Sequence, residues 1–112
     1  MSVLFEIEDG IANVTINRPE RMNAVDPATE EELERIWAEI EADDAIRCVV
    51  LTGAGERAFS AGADMKSDSG KSGLEYWASL NPNGFGGIAM RKSLNVPVIA
   101  RVNGLALGGG ME

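Results

Sequence analysis

The stretch Gly104-Leu105-Ala106-Leu107-Gly108-Gly109-Gly110-Met111-Glu112 is the part of the chain around which the rest is organised. Its three consecutive glycines are poor core residues, but they let backbone N–H groups approach a ligand closely because no Cβ atom intervenes. Such a turn often begins a helix, whose first N–H groups lack internal partners and attract an oxygen that carries negative charge. The stretch therefore predicts a catalytic turn in which Glu112 is the acidic group.

A second glycine turn has the same design. It is Ser60-Ala61-Gly62-Ala63-Asp64, and an uninterrupted apolar run at residues 48–52 precedes it. That run suits a strand covered on both faces, and residues 98–102 form a similar strand before the terminal turn. If the two strands are neighbours in a parallel sheet, both turns lie at one sheet edge, where ligands of open α/β sheets bind.

One N–H group from each turn could then converge on a single oxygen, which is the geometry of an oxyanion hole. Glu112 would lie close by as a general acid or base. The alternative is that both stretches are tight turns selected for packing. Residue spacing by itself leaves both interpretations open.

The remaining pattern predicts one α/β domain with parallel strand pairing after an initial hairpin. Residues 3–16 alternate around the turn Asp9-Gly10, which predicts that hairpin. Asp26 and Pro27 suit the N-cap and first position of a helix. The apolar stripe of this helix is expected to be Leu33, Ile36, Trp37 and Ile40. Its solvated face is expected to be Glu30, Glu31, Glu32, Glu34, Glu39 and Glu41.

Two shorter helices are predicted further along the chain. One covers residues 74–80 with Tyr76 and Trp77, and the other covers residues 87–94 and buries Ile88, Met90 and Leu94. The sequence Gly53-Ala54-Gly55 lacks the third glycine and the Lys-Ser/Thr pair of a phosphate loop, so a nucleotide site is not expected there.

Composition narrows the classes of function. The 112 residues are 45% hydrophobic with a net charge of −8, and without a basic stripe this charge argues against a nucleic-acid partner. Cys48 is expected to be a buried, inert thiol. The absence of histidine excludes a Ser–His pair, a Cys–His pair and a His-based metal site within this chain. No signal peptide or membrane-length apolar run is present, so we expect a cytoplasmic protein without a membrane partner.

Four blocks of this sequence resemble the crotonase (enoyl-CoA hydratase/isomerase) superfamily. They are Asn17-Arg18-Pro19 with Asn23-Ala24, then Val49-Val50-Leu51-Thr52-Gly53, then Ala58-Phe59-Ser60-Ala61-Gly62-Ala63-Asp64, and finally Pro97-Val98-Ile99-Ala100 through Asn103-Gly104 to Gly108-Gly109-Gly110-Met111-Glu112. Their order and spacing match the family over nearly the whole chain. Val96 and Arg101 depart from it, since the family often has a lysine and a small residue there.

The resemblance implies the ClpP/crotonase spiral of ββα units. Residues 1–112 would be the N-terminal part of one such domain, because family domains are much longer and carry C-terminal helices that build a trimer or hexamer. We therefore expect the 1–112 chain by itself to be incomplete and inactive, with an unpaired sheet edge.

The resemblance also implies an acyl-CoA thioester as the ligand. The N–H groups of Ala63 and Gly109 would hold its carbonyl oxygen as it becomes an enolate, and Glu112 matches the first of two catalytic glutamates of the hydratases. No metal and no separate cofactor are expected, because coenzyme A is part of the substrate.

The resemblance further implies a coenzyme A site and an acyl pocket. The coenzyme A site would be lined by Ala61, Ala63, Asp64, Met65 and Lys66, with Arg21 and Lys66 for the phosphates. Asp64 matches a family position, and we interpret it as a helix cap rather than a catalyst. Acyl-pocket candidates are Met65, Tyr76, Trp77 and Phe85, for each of which ordinary core packing is the alternative.

The fold supports several reactions. Glu112 favours hydratase or lyase chemistry. The alternatives are an isomerase or another crotonase reaction that uses the same oxyanion hole, and a catalytically silent binding or assembly module.

Overall fold

The computed structural model describes residues 2–64 and 82–112. Its helix and strands are, in chain order, β1 (Val3–Glu8), β2 (Ile11–Ile16), α1 (Pro27–Ala42), β3 (Cys48–Gly53), β4 (Ala58–Ser60), β5 (Val98–Arg101) and β6 (Leu105–Ala106). Three short 3₁₀ turns occur at Pro19–Arg21, Phe85–Gly87 and Gly108–Gly110. The predicted helix at residues 74–80 lies outside the described residues, so it stays a prediction.

Four strands form the main sheet in the order β1-β2-β3-β5. β1 and β2 are the predicted antiparallel hairpin, and the turn between them places Asp9 and Gly10 at positive φ. β3 runs parallel to both β2 and β5. The predicted α/β arrangement is confirmed, and the two apolar strands, β3 and β5, are neighbours, which was the condition for placing both turns at one sheet edge.

α1 begins where the sequence predicts. The Asp26 carboxylate accepts a hydrogen bond of 2.8 Å from the Thr29 N–H group, which supplies a partner for one of the free amides of the first turn. Leu33, Trp37 and Ile40 are buried, and they pack on the hairpin and β3. The core therefore lies between α1 and one face of the sheet.

The burial of β3 differs from the prediction of a strand covered on both faces. Val49 is fully buried, whereas Val50 and Leu51 are half-buried among the described residues. Cys48, predicted to be buried, is also half-buried. Leu51 shares the face of Val49 and packs against the core, whereas Cys48 and Val50 alternate to the opposite face of the strand, which stays partly accessible.

The predicted helix at residues 87–94 is wrong. Gly84, Gly86 and Gly87 adopt φ values of +79°, +66° and +73°, which a right-handed helix does not allow. The chain forms a 3₁₀ turn and further turns instead, and Met90, predicted to be buried, is 67% exposed. Ile88 and Leu94 do pack against the core, as predicted.

The acidic residues of α1 do not form a purely solvated face. The Glu30 carboxylate accepts the Gly86 N–H group at 3.0 Å. Glu34 and Glu41 both pair with the guanidinium of Arg91, whose side chain is only 8% exposed. Three of the six glutamates thus hold residues 86–91 against the helix, a role that the local sequence pattern does not reveal.

No helix within residues 2–64 or 82–112 is both long and apolar enough to cross a membrane.

Candidate active site

The two glycine turns lie side by side. Strands β4 and β6 pair in parallel, a short second sheet that the sequence pattern did not predict, and the Leu107 N–H group donates to the Ser60 carbonyl at 3.1 Å. A Cβ atom on Gly62 would lie 2.9 Å from the Leu107 carbonyl oxygen and 3.1 Å from the Gly109 nitrogen. Only glycine allows the two backbones to approach this closely.

The direction of the Ala63 N–H group follows from the peptide unit that it shares with Gly62. The Gly62 carbonyl accepts the Val25 N–H group at 2.8 Å, and the Asp64 N–H group donates to the Val25 carbonyl at 3.0 Å. A trans peptide points its N–H opposite to its C=O, so the Ala63 N–H group faces away from residue 25. Ala63 itself is exposed, which leaves its amide accessible.

The Gly109 N–H group belongs to the 3₁₀ turn Gly108–Gly110. The Gly108 carbonyl accepts the Met111 N–H group at 3.0 Å, so the amide of Gly109 points out of the turn. In the part of the chain that the structure describes, neither this amide nor that of Ala63 donates a hydrogen bond. Two free donors thus flank Gly62.

Phe85 contacts the second of these donors. A Cβ atom on Gly109 would lie 2.5 Å from the Phe85 ring, so the ring lies directly against the glycine backbone. The position of the ring is held through the next residue, because the buried Trp37 side chain donates to the Gly86 carbonyl at 2.8 Å. Phe85 therefore lies beside the Gly109 amide, and its role in an acyl pocket stays a prediction.

The Asp64 carboxylate lies between two arginines. It accepts hydrogen bonds of 3.1 Å from Arg18 and 2.7 Å from Arg21, and its side chain is only 4% exposed. Arg21, predicted as a phosphate ligand, thus pairs with the Asp64 carboxylate. Arg18 belongs to a recognised block, but sequence reasoning assigned it no role.

Asn23 is a second functional residue that sequence reasoning missed. It is fully buried, its side-chain oxygen accepts the Arg18 N–H group at 2.9 Å, and its amide nitrogen donates to the carbonyls of Ala54 and Ala58. The Asn23 carbonyl accepts the Ser60 hydroxyl at 2.9 Å. These bonds fix the loop of residues 18–25 against β4, just before the Gly62 turn. The available signal was its place, with Ala24, in the first block of the family resemblance.

Glu112 is exposed and follows the Gly108–Gly110 turn, with its N–H group donating to the Gly109 carbonyl at 3.1 Å. It borders an apolar cavity of about 570 Å³ between α1 and the sheet, which Gly109 and Gly110 also line. The structure thus brings together Ala61, Ala63, Asp64, Arg21, Gly109 and Glu112 around the paired turns. Met65, Lys66, Tyr76 and Trp77 lie outside the described residues.

Among the side chains of residues 2–64 and 82–112, no three potential metal ligands come together.

Comparison with known proteins decides the family. A sequence profile described as Enoyl-CoA hydratase/isomerase matches residues 6–112. The chain belongs to the enoyl-CoA hydratase/isomerase family. An (E)-benzylidenesuccinyl-CoA hydratase of Thauera aromatica is 41% identical over all 112 residues, and a short-chain-enoyl-CoA hydratase of Clostridium acetobutylicum is 40% identical over 99% of this chain. The match spans 43% and 42% of these two relatives.

Solved structures of this enoyl-CoA hydratase/isomerase family show the same fold. An enoyl-CoA hydratase/isomerase from Xanthobacter autotrophicus superposes with a TM-score of 0.86 at 34% identity, covering 98% of this chain and 41% of that one. A carnitinyl-CoA hydratase from Mycobacterium avium gives a TM-score of 0.82 at 37% identity over 97% and 41% of the two chains. The crotonase fold class is confirmed, and the chain spans about two-fifths of its relatives' length.

Proposed function

We propose that this protein is an enoyl-CoA hydratase, a lyase that adds water across the 2,3-double bond of an enoyl-CoA thioester. The observation that carries the proposal is the pair of free amides, of Ala63 and Gly109, on either side of Gly62. Two convergent N–H donors suit an oxygen that gains charge during reaction. Relatives named as hydratases at 40–41% identity support the choice of reaction.

In this mechanism the thioester carbonyl oxygen lies between the two amides. Their hydrogen bonds draw electron density towards that oxygen, which makes C3 of the conjugated double bond electrophilic. A water oxygen bonds to C3 while the water gives a proton to the general base, and the C2–C3 π electrons pass into the enolate. C2 then takes up a proton from the second of the two glutamates that the resemblance implies. Glu112 orients the water and accepts its proton as general base.

The substrate would bind through the segment that follows the first turn. Backbone atoms of Ala61, Ala63, Asp64, Met65 and Lys66 would line the coenzyme A portion, with Arg21 and Lys66 near the phosphates. Since coenzyme A is part of the substrate, the reaction requires no separate cofactor. A cytoplasmic location and a homotrimer or hexamer, with a role in fatty-acid metabolism, belong to the same proposal.

Replacement Glu112→Gln tests the role of the carboxylate. It keeps the side-chain shape but removes the base, so we expect kcat for hydration of crotonyl-CoA to fall by about 10²–10⁴-fold. The assay uses the protein as its complete gene encodes it. Glu39→Gln, an exposed acid on α1, is the matched control and should leave turnover unchanged. Unchanged turnover in Glu112→Gln would reject the assigned role.

An assay with a 3-enoyl-CoA as substrate separates the hydratase from the isomerase hypothesis. Migration of the double bond of a 3-enoyl-CoA, without formation of 3-hydroxyacyl-CoA, would identify an isomerase that uses the same pair of amides. Failure to bind any acyl-CoA would favour a silent module of this fold.

A further inference from the structure

We propose that Asp64 and Arg18 form a positioning pair, which fixes the direction of the Ala63 N–H group. This inference rests on the proposed function, in which that amide holds the thioester oxygen. Neither side chain needs to touch the substrate, so both are positioning residues and act through the backbone.

The Asp64–Arg18 pair lies beside the backbone bridge between residues 25 and 63, which orients the Ala63 amide. Residues 25 and 63 form an isolated parallel bridge, with one hydrogen bond on each side of Ala63. The Arg18 guanidinium donates to the Ala24 carbonyl at 2.6 Å on one side of this bridge and to the Asp64 carboxylate at 3.1 Å on the other. One planar, rigid group therefore ties both chains of the bridge together.

Within the described residues, the bridge is a single pair of residues rather than part of a longer ladder. A shift of the 63–64 backbone would rotate the Gly62–Ala63 peptide and turn its N–H group away from the oxygen. Such a displacement of about 1 Å at a reacting group costs on the order of 10²-fold in rate.

The charges make this pairing specific. The Asp64 side chain is 4% exposed and that of Arg18 is 14% exposed. Asp26 lies 3.4 Å from the same guanidinium, and Arg21 lies 2.7 Å from the same carboxylate. Two acids and two arginines thus balance in a partly buried cluster, in which Asp64 and Arg18 are the members least exposed to water.

Steady-state kinetics on the protein as its complete gene encodes it test the pairing. We expect Asp64→Asn to lower kcat for crotonyl-CoA hydration at least 10-fold, with KM and the Kd for free coenzyme A within two-fold of wild type. The double variant Arg18→Gln/Asp64→Asn keeps the charge balance and should lose no more than Asp64→Asn does. Asp44→Asn, which alters an exposed acid just after α1, is the control and should not change kcat.

A spectroscopic readout separates this inference from the proposed reaction. The absorption of a conjugated dienoyl-CoA moves to longer wavelength when its thioester carbonyl is polarised, whether or not water adds. We expect this shift in the wild-type protein and its loss in Asp64→Asn at saturating ligand. A shift without hydration would reject the hydratase assignment and leave the positioning pair intact.

Three results would overturn the pairing. They are a full shift and normal kcat in Asp64→Asn, a raised KM with unchanged kcat in that variant, and a larger loss of kcat in the double variant than in Asp64→Asn. If Asp64→Asn fails to fold, the charge-balanced double variant carries the same measurements. A wild-type protein that shows no shift would overturn the proposed function and this inference together.

Discussion

Gly62 is the residue on which the geometry of the candidate site depends. Its φ is +96°, and the space where a Cβ would lie is occupied by the Leu107 carbonyl and the Gly109 amide. Gly55 has a similar φ of +82°, but its nearest neighbour would be the Pro19 side chain at 3.7 Å. The two glycines share a backbone conformation and differ in crowding, so comparing them isolates the effect of close approach.

We expect Gly55→Ala to lower the free energy of unfolding by about 1 kcal/mol, the cost of a left-handed residue with a side chain. Gly62→Ala carries that cost and also forces the two turns apart, so we expect about 3 kcal/mol. Urea denaturation of both variants measures the difference, and Gly62→Ala should also lose thioester binding. Equal destabilisation would show that the close contact is unimportant.

Helix α1 is the element whose role the structure changes most. Its apolar side forms the core as its periodicity predicts, but its acidic side binds residues 86–91 through Glu30, Glu34 and Glu41. Those residues in turn place Phe85 against Gly109. The helix therefore supports the candidate site through its polar face.

Two carboxylates, one at the N-cap of this helix and one within it, make the stability of the fold depend on pH. Burial opposes ionisation of Asp26, but hydrogen bonds from Thr29 and the charge of Arg18 outweigh it and hold the pKa of Asp26 below its ordinary value. A hydrogen bond from Ser93 lowers the pKa of Glu41 most, and Arg91 lowers it further against the cost of burial. Both groups therefore release their protons more readily in the folded than in the unfolded state.

The sign of the pH dependence follows from these lowered pKa values. The stabilisation is complete above the unfolded pKa values and is lost as pH falls through the folded ones. We expect the free energy of unfolding to decrease below about pH 4.5, with a smaller decrease in Glu41→Gln. Denaturant titrations between about pH 2.5 and 6 measure it, with Glu39→Gln as the control. If the free energy of unfolding falls equally at low pH in Glu41→Gln and in wild type, Glu41 does not contribute to the pH dependence.

At the scale of the whole molecule, the described residues expose several large apolar side chains late in the chain. Those more than half exposed after β5 begins include Ile99 at 55% and Val102 at 59%. The others are Leu105, Leu107 and Met111. Exposed apolar patches of this kind usually mark a surface that another part of a protein covers.

We expect the 1–112 polypeptide, expressed by itself, to bind the dye ANS strongly and to show no hydration of crotonyl-CoA. The physical reason is that this apolar surface stays in contact with water, while curated relatives of more than twice the length match it over about two-fifths of their chains. The fluorescence and activity of the purified polypeptide provide the measurement, with the complete gene product as the control. Measurable hydration by residues 1–112 would refute this expectation.

Local sequence determined much of this protein. Alternation around Asp9-Gly10, the Asp26-Pro27 helix start and the apolar strands depend on neighbouring residues, and all of them form as predicted. The two glycine turns were recognisable for the same reason, since their backbone conformation is a property of a few residues. The blocks of the family resemblance follow from these local features.

Tertiary structure alone decided how those parts meet. The β4–β6 pairing, the contact of Gly62 with Gly109 and the Arg18–Asp64 pair join residues that are 40 or more positions apart, and no local pattern encodes such contacts. The same holds for Gly84, Gly86 and Gly87, whose positive φ values replace the predicted helix. Hydrogen bonds from Trp37 and to Glu30 of α1 hold Gly86 in place. Glycine permits either backbone hand, so the choice between them came from packing and not from the sequence around it.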